Sequence, residues 1–455
     1  IRSAYRPLVD TLMVIPPCML PHTYMCPASV TVCALRRQQR QSPYVIVQEN
    51  VRNVNGIGGF SCFIFDAGYG ILSAIVCTET GPVFAYTFRQ EEMNMRDGFI
   101  RVAAATPKIK VADPVYNRQE ICRIIEEAGK KGVELLVFPE LCLSGYTCND
   151  LFLQEVLLEQ VKEELKTVVS FTRNKHMLVF VGLPWEHEGK LYNVAAAICN
   201  GGLLGLVTKT NLPNYSEFYE LRHFTPGMEA PVMTDWQDTQ VSMGTNLLFT
   251  CKEYPKLTVA AEICEDVWVP CPPSIRHTLA GATVIANCSA SDEVVGKDSY
   301  RRELICGQSA RLICGYVYAN AGEGESTQDL VFGGHNIIAE NGTRLAESKR
   351  FAPETVCADM DLERLNAERR RTTTYPAPDR SGYQTIHFSL APVAGAENSS
   401  SCKNGQNQQE NGQSQQETGQ SRQETGKAVS GMQAGEKLLR YIDNRPFVPH
   451  DTRER

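Results

Sequence analysis

The sequence predicts an α/β protein, on three observations. Short apolar, β-branched runs recur between Arg101 and Leu365. Several of the stretches between them repeat apolar residues at helical spacing. Three of the runs stop abruptly at a charged or thiol side chain, and chemistry in α/β sheets gathers where strands end.

The elements follow in order. Phe99–Ala105 reads as the first well-patterned strand. Asp113-Pro114 supplies a cap and a proline for the first helical turn, and Ile121, Ile124, Ile125 and Ala128 then mark one helix face before Gly132. A strand from Leu135 to Phe138 ends at Pro139-Glu140, and a second helix over about 151–172 presents Val156, Leu157, Val161, Leu165 and Val168. A strand from Met177 to Leu183 follows. The strands Val194–Cys199 and Leu203–Val207 join at Asn200-Gly201-Gly202, a hairpin signal, and the second delivers Lys209. A long loop is expected before the strand Leu257–Ile263, which delivers Cys264. A strand at 283–286, a helix over 301–312, a strand at 316–319 and a hairpin turning at Asn341-Gly342 complete a domain placed at 99–375. Alternation of this kind packs helices outside sheets.

The flanks differ. Residues 1–92 sustain neither helical nor alternating periodicity and are read as an irregular extension without catalytic role; Met93 and Met95 stand just before the patterned region, where a natural chain could start. Leu12–Leu20 behind Arg2 and Arg6 imitates a secretory signal but is interrupted by Pro16 and Pro17. From 376 to 434 the chain reads as a linker: a Gly-Gln repeat begins at Gly405, Gly412 and Gly419, but no heptad position is apolar, which excludes a coiled coil and favours disorder. Residues 435–455 resume ordinary sequence with Leu438, Leu439 and Ile442.

Composition narrows the function. Of 455 residues, 43% are hydrophobic and 21% charged, enough to bury a large core. A net charge of -7 argues against nucleic acid as partner. No apolar run is long enough to span a membrane. The 17 cysteines are odd in number and irregularly spaced, which favours reduced thiols in the cytoplasm. No cysteine–histidine cluster has zinc spacing, so no metal is expected.

Glu140, Lys209 and Cys264, at three strand exits, form a set that suits amide hydrolysis through a thioester. The thiolate attacks the amide carbon, the carboxylate takes the thiol proton and returns it to departing ammonia, and the lysine stabilises the oxyanion. Each alone has an ordinary reading, since exposed charges and buried cysteines are common. Joint placement is what points to chemistry, and it requires the three to converge on one pocket. Glu265 and Asp266, next to the cysteine, are expected to disfavour a thiolate, leaving activation to Lys209 and Glu140.

The segments Phe-Pro-Glu140-Leu-Cys-Leu-Ser-Gly-Tyr146, Lys209-Thr-Asn-Leu-Pro-Asn-Tyr215-Ser-Glu217-Phe-Tyr and Glu-Ile-Cys264-Glu-Asp-Val-Trp268 resemble the three motifs of the nitrilase, or carbon–nitrogen hydrolase, superfamily. More narrowly they resemble the N-terminal glutaminase domain of glutamine-dependent NAD+ synthetases. The resemblance implies a four-layer α-β-β-α sandwich with Glu140 as general base, Lys209 as oxyanion stabiliser, Cys264 as nucleophile and Glu217 as a supporting carboxylate. It assigns glutamine recognition to Tyr215, Ser291 and Lys297, with Tyr146 and Trp268 shaping the pocket. It further implies a homo-oligomer, no cofactor for the glutaminase step, and ammonia passed to a synthetase domain that uses ATP and Mg2+ to amidate deamido-NAD+. The Ser-Gly-Gly-x-Asp-Ser phosphate loop of that domain is not found, whereas Arg445-Pro-Phe-Val-Pro-His450 resembles its entry segment, so the sequence is expected to break off as the synthetase begins. A stand-alone amidase acting on another amide and an inactive module of the same fold are the alternatives.

Overall fold

The computed structural model describes residues 98–391 and 438–440 in full, together with the backbone of four strands further upstream. The chain divides into two units, Ile1–Met93 and Asn94–Arg455. In the first, β1 (Tyr44–Val45), β2 (Ser61–Asp66), β3 (Ile71–Thr78) and β4 (Gly81–Arg89) form an antiparallel sheet in that order. These strands lie in the stretch where the sequence shows no sustained periodicity.

The second unit holds two sheets. The first is assembled from β5 (Phe99–Ala105), β6 (Leu135–Val137), β7 (Leu178–His187), β8 (Lys190–Cys199), β9 (Gly202–Thr208), β10 (Val232–Trp236), β11 (Thr239–Met243) and β18 (Thr355–Asp361), in the order β10-β11-β9-β8-β7-β6-β5-β18. The second contains β12 (Leu247–Cys251), β13 (Thr258–Ile263), β14 (Val284–Ser289), β15 (Gly315–Asn320), β16 (Ile337–Glu340), β17 (Thr343–Glu347) and β19 (Gln384–Phe388), in the order β17-β16-β15-β14-β13-β12-β19.

Helices cover the outer face of each sheet. On α1 (Pro114–Lys130) the Asp113 side chain accepts from Tyr116 N at 3.0 Å, and Ile121, Ile124, Ile125 and Ala128 are buried. They share a core with Leu157, Val161, Leu165 and Val168 of α2 (Glu155–Phe171) and with the first sheet. On the other side Ile305 and Leu312 of α4 (Lys297–Leu312) and residues flanking α3 (Pro273–Leu279) pack against Ala260, Ile285 and Tyr316. The sheets meet face to face, with Phe180 of β7 against Phe249 of β12 at 5.6 Å between ring centroids. This is the α-β-β-α sandwich expected from sequence.

Several expectations need correction. The stretch before β13, read as one long loop, contains β10, β11 and β12. In β10 only Thr234 and Trp236 are buried, so this hairpin at the sheet edge is too short and polar for its alternation to stand out. The second helix begins at Glu155 rather than near 151, because 146–153 forms 3-10 turns with Asn149 at φ 50°. The sheet also runs past residue 375: β19, in the segment read as linker, pairs parallel with β12. The repeats at Gly405, Gly412 and Gly419 lie outside the described residues, as does most of 435–455. No helix among the described residues is long and apolar enough to cross a membrane.

Candidate active site

Every residue of β13 is buried, so the strand runs through the middle of the molecule and ends where acidic side chains begin. There Cys264 adopts a left-handed conformation, φ 43°, and opens the 3-10 turn Cys264–Val267. Such a conformation at a non-glycine residue costs of order 1–3 kcal/mol and persists only where its surroundings hold it. Asp266 is the clamp. Its carboxylate accepts from Ile263 N at 3.0 Å and from both Asn211 N and Asn211 Nδ2 at 2.8 Å, tying the cysteine turn to the segment that follows Lys209.

Glu140 leaves the edge of β6 fully buried, and both of its oxygens are engaged. Oε1 accepts from Lys209 Nζ and from Asn193 Nδ2, each at 2.6 Å, and Oε2 accepts from Ala290 N at 3.0 Å. Close approach of β7 keeps it there. A Cβ on Gly182 would stand 2.3 Å from Leu141 N and 2.7 Å from the Glu140 carbonyl carbon, so only glycine fits.

Lys209 sits between two carboxylates, because Glu220 Oε1 also accepts from Nζ at 2.6 Å. Burial alone pulls the amine down, but the charges of Glu140 and Glu220 outweigh it and hold Lys209 well above its ordinary value. Glu220 is pushed up, first by burial and then by Glu140, against the pull of Lys209. Tyr146 donates to the same Glu220 oxygen at 2.8 Å, and its ring packs on Phe332 at 5.7 Å.

The second carboxylate is therefore Glu220, not Glu217. Pro213 O accepts from Glu220 N at 3.1 Å and closes a turn that carries residue 220 under the lysine, while Glu217 remains partly exposed. No spacing rule in the sequence separates these two glutamates; the turn does.

A cavity of about 430 Å³ opens over the thiol, lined among others by Tyr215, Cys264, Glu265, Trp268, Ser291 and Lys297. Tyr215 OH donates to Glu265 Oε1 at 2.9 Å. Lys297 pairs with Asp292 and lies 5.4 Å from the centre of the Trp268 ring. The Ser291 hydroxyl accepts from Arg301 at 3.1 Å. Tyr146 stands behind this lining, against Glu220. Burial raises the Cys264 thiol above its ordinary value, with Glu140 and Glu220 adding to the effect and Lys209 and the Ser289 hydroxyl opposing it. The carboxylates that weigh on the thiol are thus Glu140 and Glu220. Asp266 is engaged by N–H groups, and Glu265, expected only to disfavour the thiolate, faces the cavity.

A cysteine kept as a thiol beside a buried carboxylate–ammonium pair, at the floor of a cavity carrying one further carboxylate and one further ammonium, can attack an amide with the base already in place. Among the described residues no group of His, Cys, Asp and Glu is placed to hold a metal ion.

Comparison with known proteins fits this chemistry. The profile described as carbon–nitrogen hydrolase matches residues 101–370. The glutamine-dependent NAD(+) synthetase of Mycobacterium tuberculosis is 42% identical over 307 residues, covering 66% of this chain and 45% of the relative. The protein of the same name from Aquifex aeolicus is 33% identical over 273 residues, covering 60% of this chain and 44% of its own. The crystal structure of a glutamine-dependent NAD(+) synthetase from Cytophaga hutchinsonii aligns with a TM-score of 0.52 at 31% identity, over 57% of this chain and 43% of that one. The chain spans a little under half the length of the curated relatives it matches.

Proposed function

The chain belongs to the carbon–nitrogen hydrolase family, and from that premise we propose that it hydrolyses the side-chain amide of glutamine through a thioester on Cys264, releasing ammonia for the ATP-dependent amidation of deamido-NAD+. The observation that carries this reading is the cavity. Glu265 and Lys297 offer opposite charges to the α-ammonium and α-carboxylate of a free amino acid, and Cys264 lies within the same lining to meet the side-chain amide.

The chemistry follows from the partners. Glu140 takes the thiol proton, and the sulfur attacks the amide carbon. An ammonium has three N–H bonds; two of those on Lys209 are held by Glu140 and Glu220, and the third is left for the oxyanion. Collapse of the tetrahedral intermediate breaks the C–N bond, Glu140 returns the proton to the leaving nitrogen, and ammonia departs. Water, deprotonated by Glu140, then attacks the thioester carbonyl, and glutamate leaves as the thiol is restored.

On this proposal Tyr215, Ser291 and Trp268 shape the amino-acid site, and Tyr146 fixes Glu220. ATP and Mg2+ belong to the amidating step in a synthetase domain. Exposed Tyr215, Val294, Val295 and Tyr300 at the cavity mouth support a covering partner, either that domain or another copy in a homo-oligomer. The cysteines among the described residues are free, which supports a cytoplasmic setting.

Ammonia and glutamate release by the purified chain tests the reading. Cys264→Ala is expected to abolish release from glutamine while the circular dichroism spectrum stays unchanged. Turnover retained by that variant, or faster hydrolysis of simple aliphatic amides than of glutamine, overturns it.

A further inference from the structure

The segment that leaves β15 carries a half-buried carboxylate, Glu325, that the proposed reaction does not use. Its Oε1 accepts from Tyr146 N at 2.7 Å, and its Oε2 accepts from Thr147 N at 2.9 Å and from the Thr147 hydroxyl at 2.6 Å. The Thr147 oxygen in turn accepts from Ser326 N at 2.8 Å. Both carboxylate oxygens are thus committed to two adjacent residues of another segment.

That hold is needed, because local structure does not fix Tyr146. Gly145 before it is at φ 90°, and Thr147 after it departs from helical angles at φ -89°, ψ 31°. The segment bearing Glu325 is itself braced: Ile109 N donates to Glu323 O at 3.1 Å, Lys108 pairs with Glu323 at 2.5 Å, and a Cβ on Gly324, φ 108°, would stand 1.8 Å from Ile109 O. Further along the same segment, Leu330 and Phe332 form a small apolar cluster against which the Tyr146 ring packs.

Tyr146 is where this bracing meets the chemistry. Its hydroxyl donates to Glu220 Oε1 at 2.8 Å, the oxygen that also accepts from Lys209 Nζ at 2.6 Å. Glu220 Oε2 meets no donor among the described residues. The orientation and charge of Glu220 therefore depend on two donors, and Glu325 places one of them.

We propose that Glu325 is a positioning residue for the lysine and its two carboxylates: by holding the backbone at Tyr146 and Thr147 it sets the Tyr146 hydroxyl on Glu220, which keeps Glu220 ionised against Lys209 and leaves Glu140 free to act as base. The proposal rests on the reading of Glu140, Lys209 and Cys264 as an amide-hydrolysing set. Its physical content is that a phenol donating to a carboxylate favours the ionised form.

The charges around Glu220 give the effect a sign. Burial, then Glu140, raises Glu220 to about 7, against the pull of Lys209 and of the Tyr146 hydroxyl. Cys264 and Glu265 also face it. Tyr146, raised first of all by burial, stays neutral and keeps its proton to donate. As pH falls through about 7, Glu220 takes a proton, Lys209 turns to Glu140 alone, and the base weakens, so kcat falls on the acid side. Loss of the Tyr146 donor raises Glu220 further and moves that acid limb to higher pH.

The test is the pH profile of kcat for glutamine in the full chain, read beside thermal melts. Glu220→Gln is expected to remove the acid limb, which assigns it. Tyr146→Phe is expected to move the limb up by about one pH unit, the effect of one lost hydrogen bond to a charged group. Glu325→Ala is expected to move it the same way by a similar amount, with KM for glutamine unchanged within about twofold, and Glu325→Gln, which keeps an acceptor for Tyr146 N, by less. On a Tyr146→Phe background Glu325→Ala should add no shift, because the two act on one contact. A fall in kcat with the limb unmoved, a shift that adds fully to that of Tyr146→Phe, or a limb that survives Glu220→Gln overturns the proposal. If Glu325→Ala does not fold, Glu325→Gln and Thr147→Val, which removes one contact to Glu325, carry the same comparison. Failure of Cys264→Ala to abolish turnover would instead remove the underlying reading; the two failures are separable because the limb is read only in chains that keep the cysteine.

Discussion

Lys209 places its charge between Glu140 and Glu220, and the two contacts have different consequences. Glu140 stands beside Cys264 and takes the proton in the proposed reaction. Glu220 balances the lysine from the far side, oriented by Tyr146. With only one carboxylate the ammonium would draw Glu140 more strongly and weaken it as a base. Glu220→Gln is therefore expected to lower kcat by about 10²-fold, within the range usual for general acid–base groups, whereas Glu217→Gln leaves kcat within about twofold, as expected of a surface change. Steady-state ammonia release by both variants checks this, and equal losses would contradict the placement of Glu220. The same paired residues show the limit of reading a single chain: Glu217 and Glu220 stand three positions apart with the same chemistry, and only the Pro213 turn decides which is buried.

At the scale of elements, two connections bring the chemistry together. The Cys264 turn is tied to the lysine segment by Asp266, and Glu140 is pressed into place by β7. Gly182→Ala tests the second connection. The added methyl meets backbone atoms at 2.3–2.7 Å and cannot be relieved by turning a side chain. The Pro139–Leu141 segment must shift and Glu140 with it. The expected outcome is a loss of about 1–3 kcal/mol in stability, as for other overpacked sites, with a fall in kcat larger than that loss explains at a temperature where the variant remains folded. Thermal melts beside turnover measure both. The strand β7 is legible from its apolar run, yet the need for glycine at 182 is not, because close approach of another backbone leaves no mark in one sequence.

At the scale of the whole catalytic unit, strands far apart in sequence complete each sheet. β18 pairs antiparallel with β5 along its full length, from Thr355↔Ala105 to Asp361↔Phe99. Within that pairing Arg101 Nε meets Asp359 Oδ1 at 2.7 Å with both side chains buried. Asp359 also accepts from Leu439 N at 2.5 Å, and Arg440 reaches Glu340 at 2.7 Å, so the short described piece beyond the repeats is fastened to β18 of the first sheet and to β16 of the second. Removing one partner of a buried ion pair leaves the other uncompensated, and Arg101→Ala is expected to cost about 3–5 kcal/mol. Urea unfolding measures it, and a change below about 1 kcal/mol would show the pair to be dispensable.

The sequence by itself determined the α/β alternation, most strand and helix cores, and the three residues Glu140, Lys209 and Cys264 at strand exits, because apolar period and strand ends are local properties. It also carried the motif order by which family membership is recognised. Tertiary structure alone decided which glutamate joins Lys209, that Asp266 serves as a clamp while Glu265 faces the cavity, that β10–β12 and β19 belong to the sheets, and that Glu262, Tyr316, Asn287 and Ser289 join in one buried hydrogen-bonded chain. Each of those depends on how strands register across a sheet or how a loop turns back, and a buried polar group reveals its partner only once the fold has brought that partner within hydrogen-bond reach.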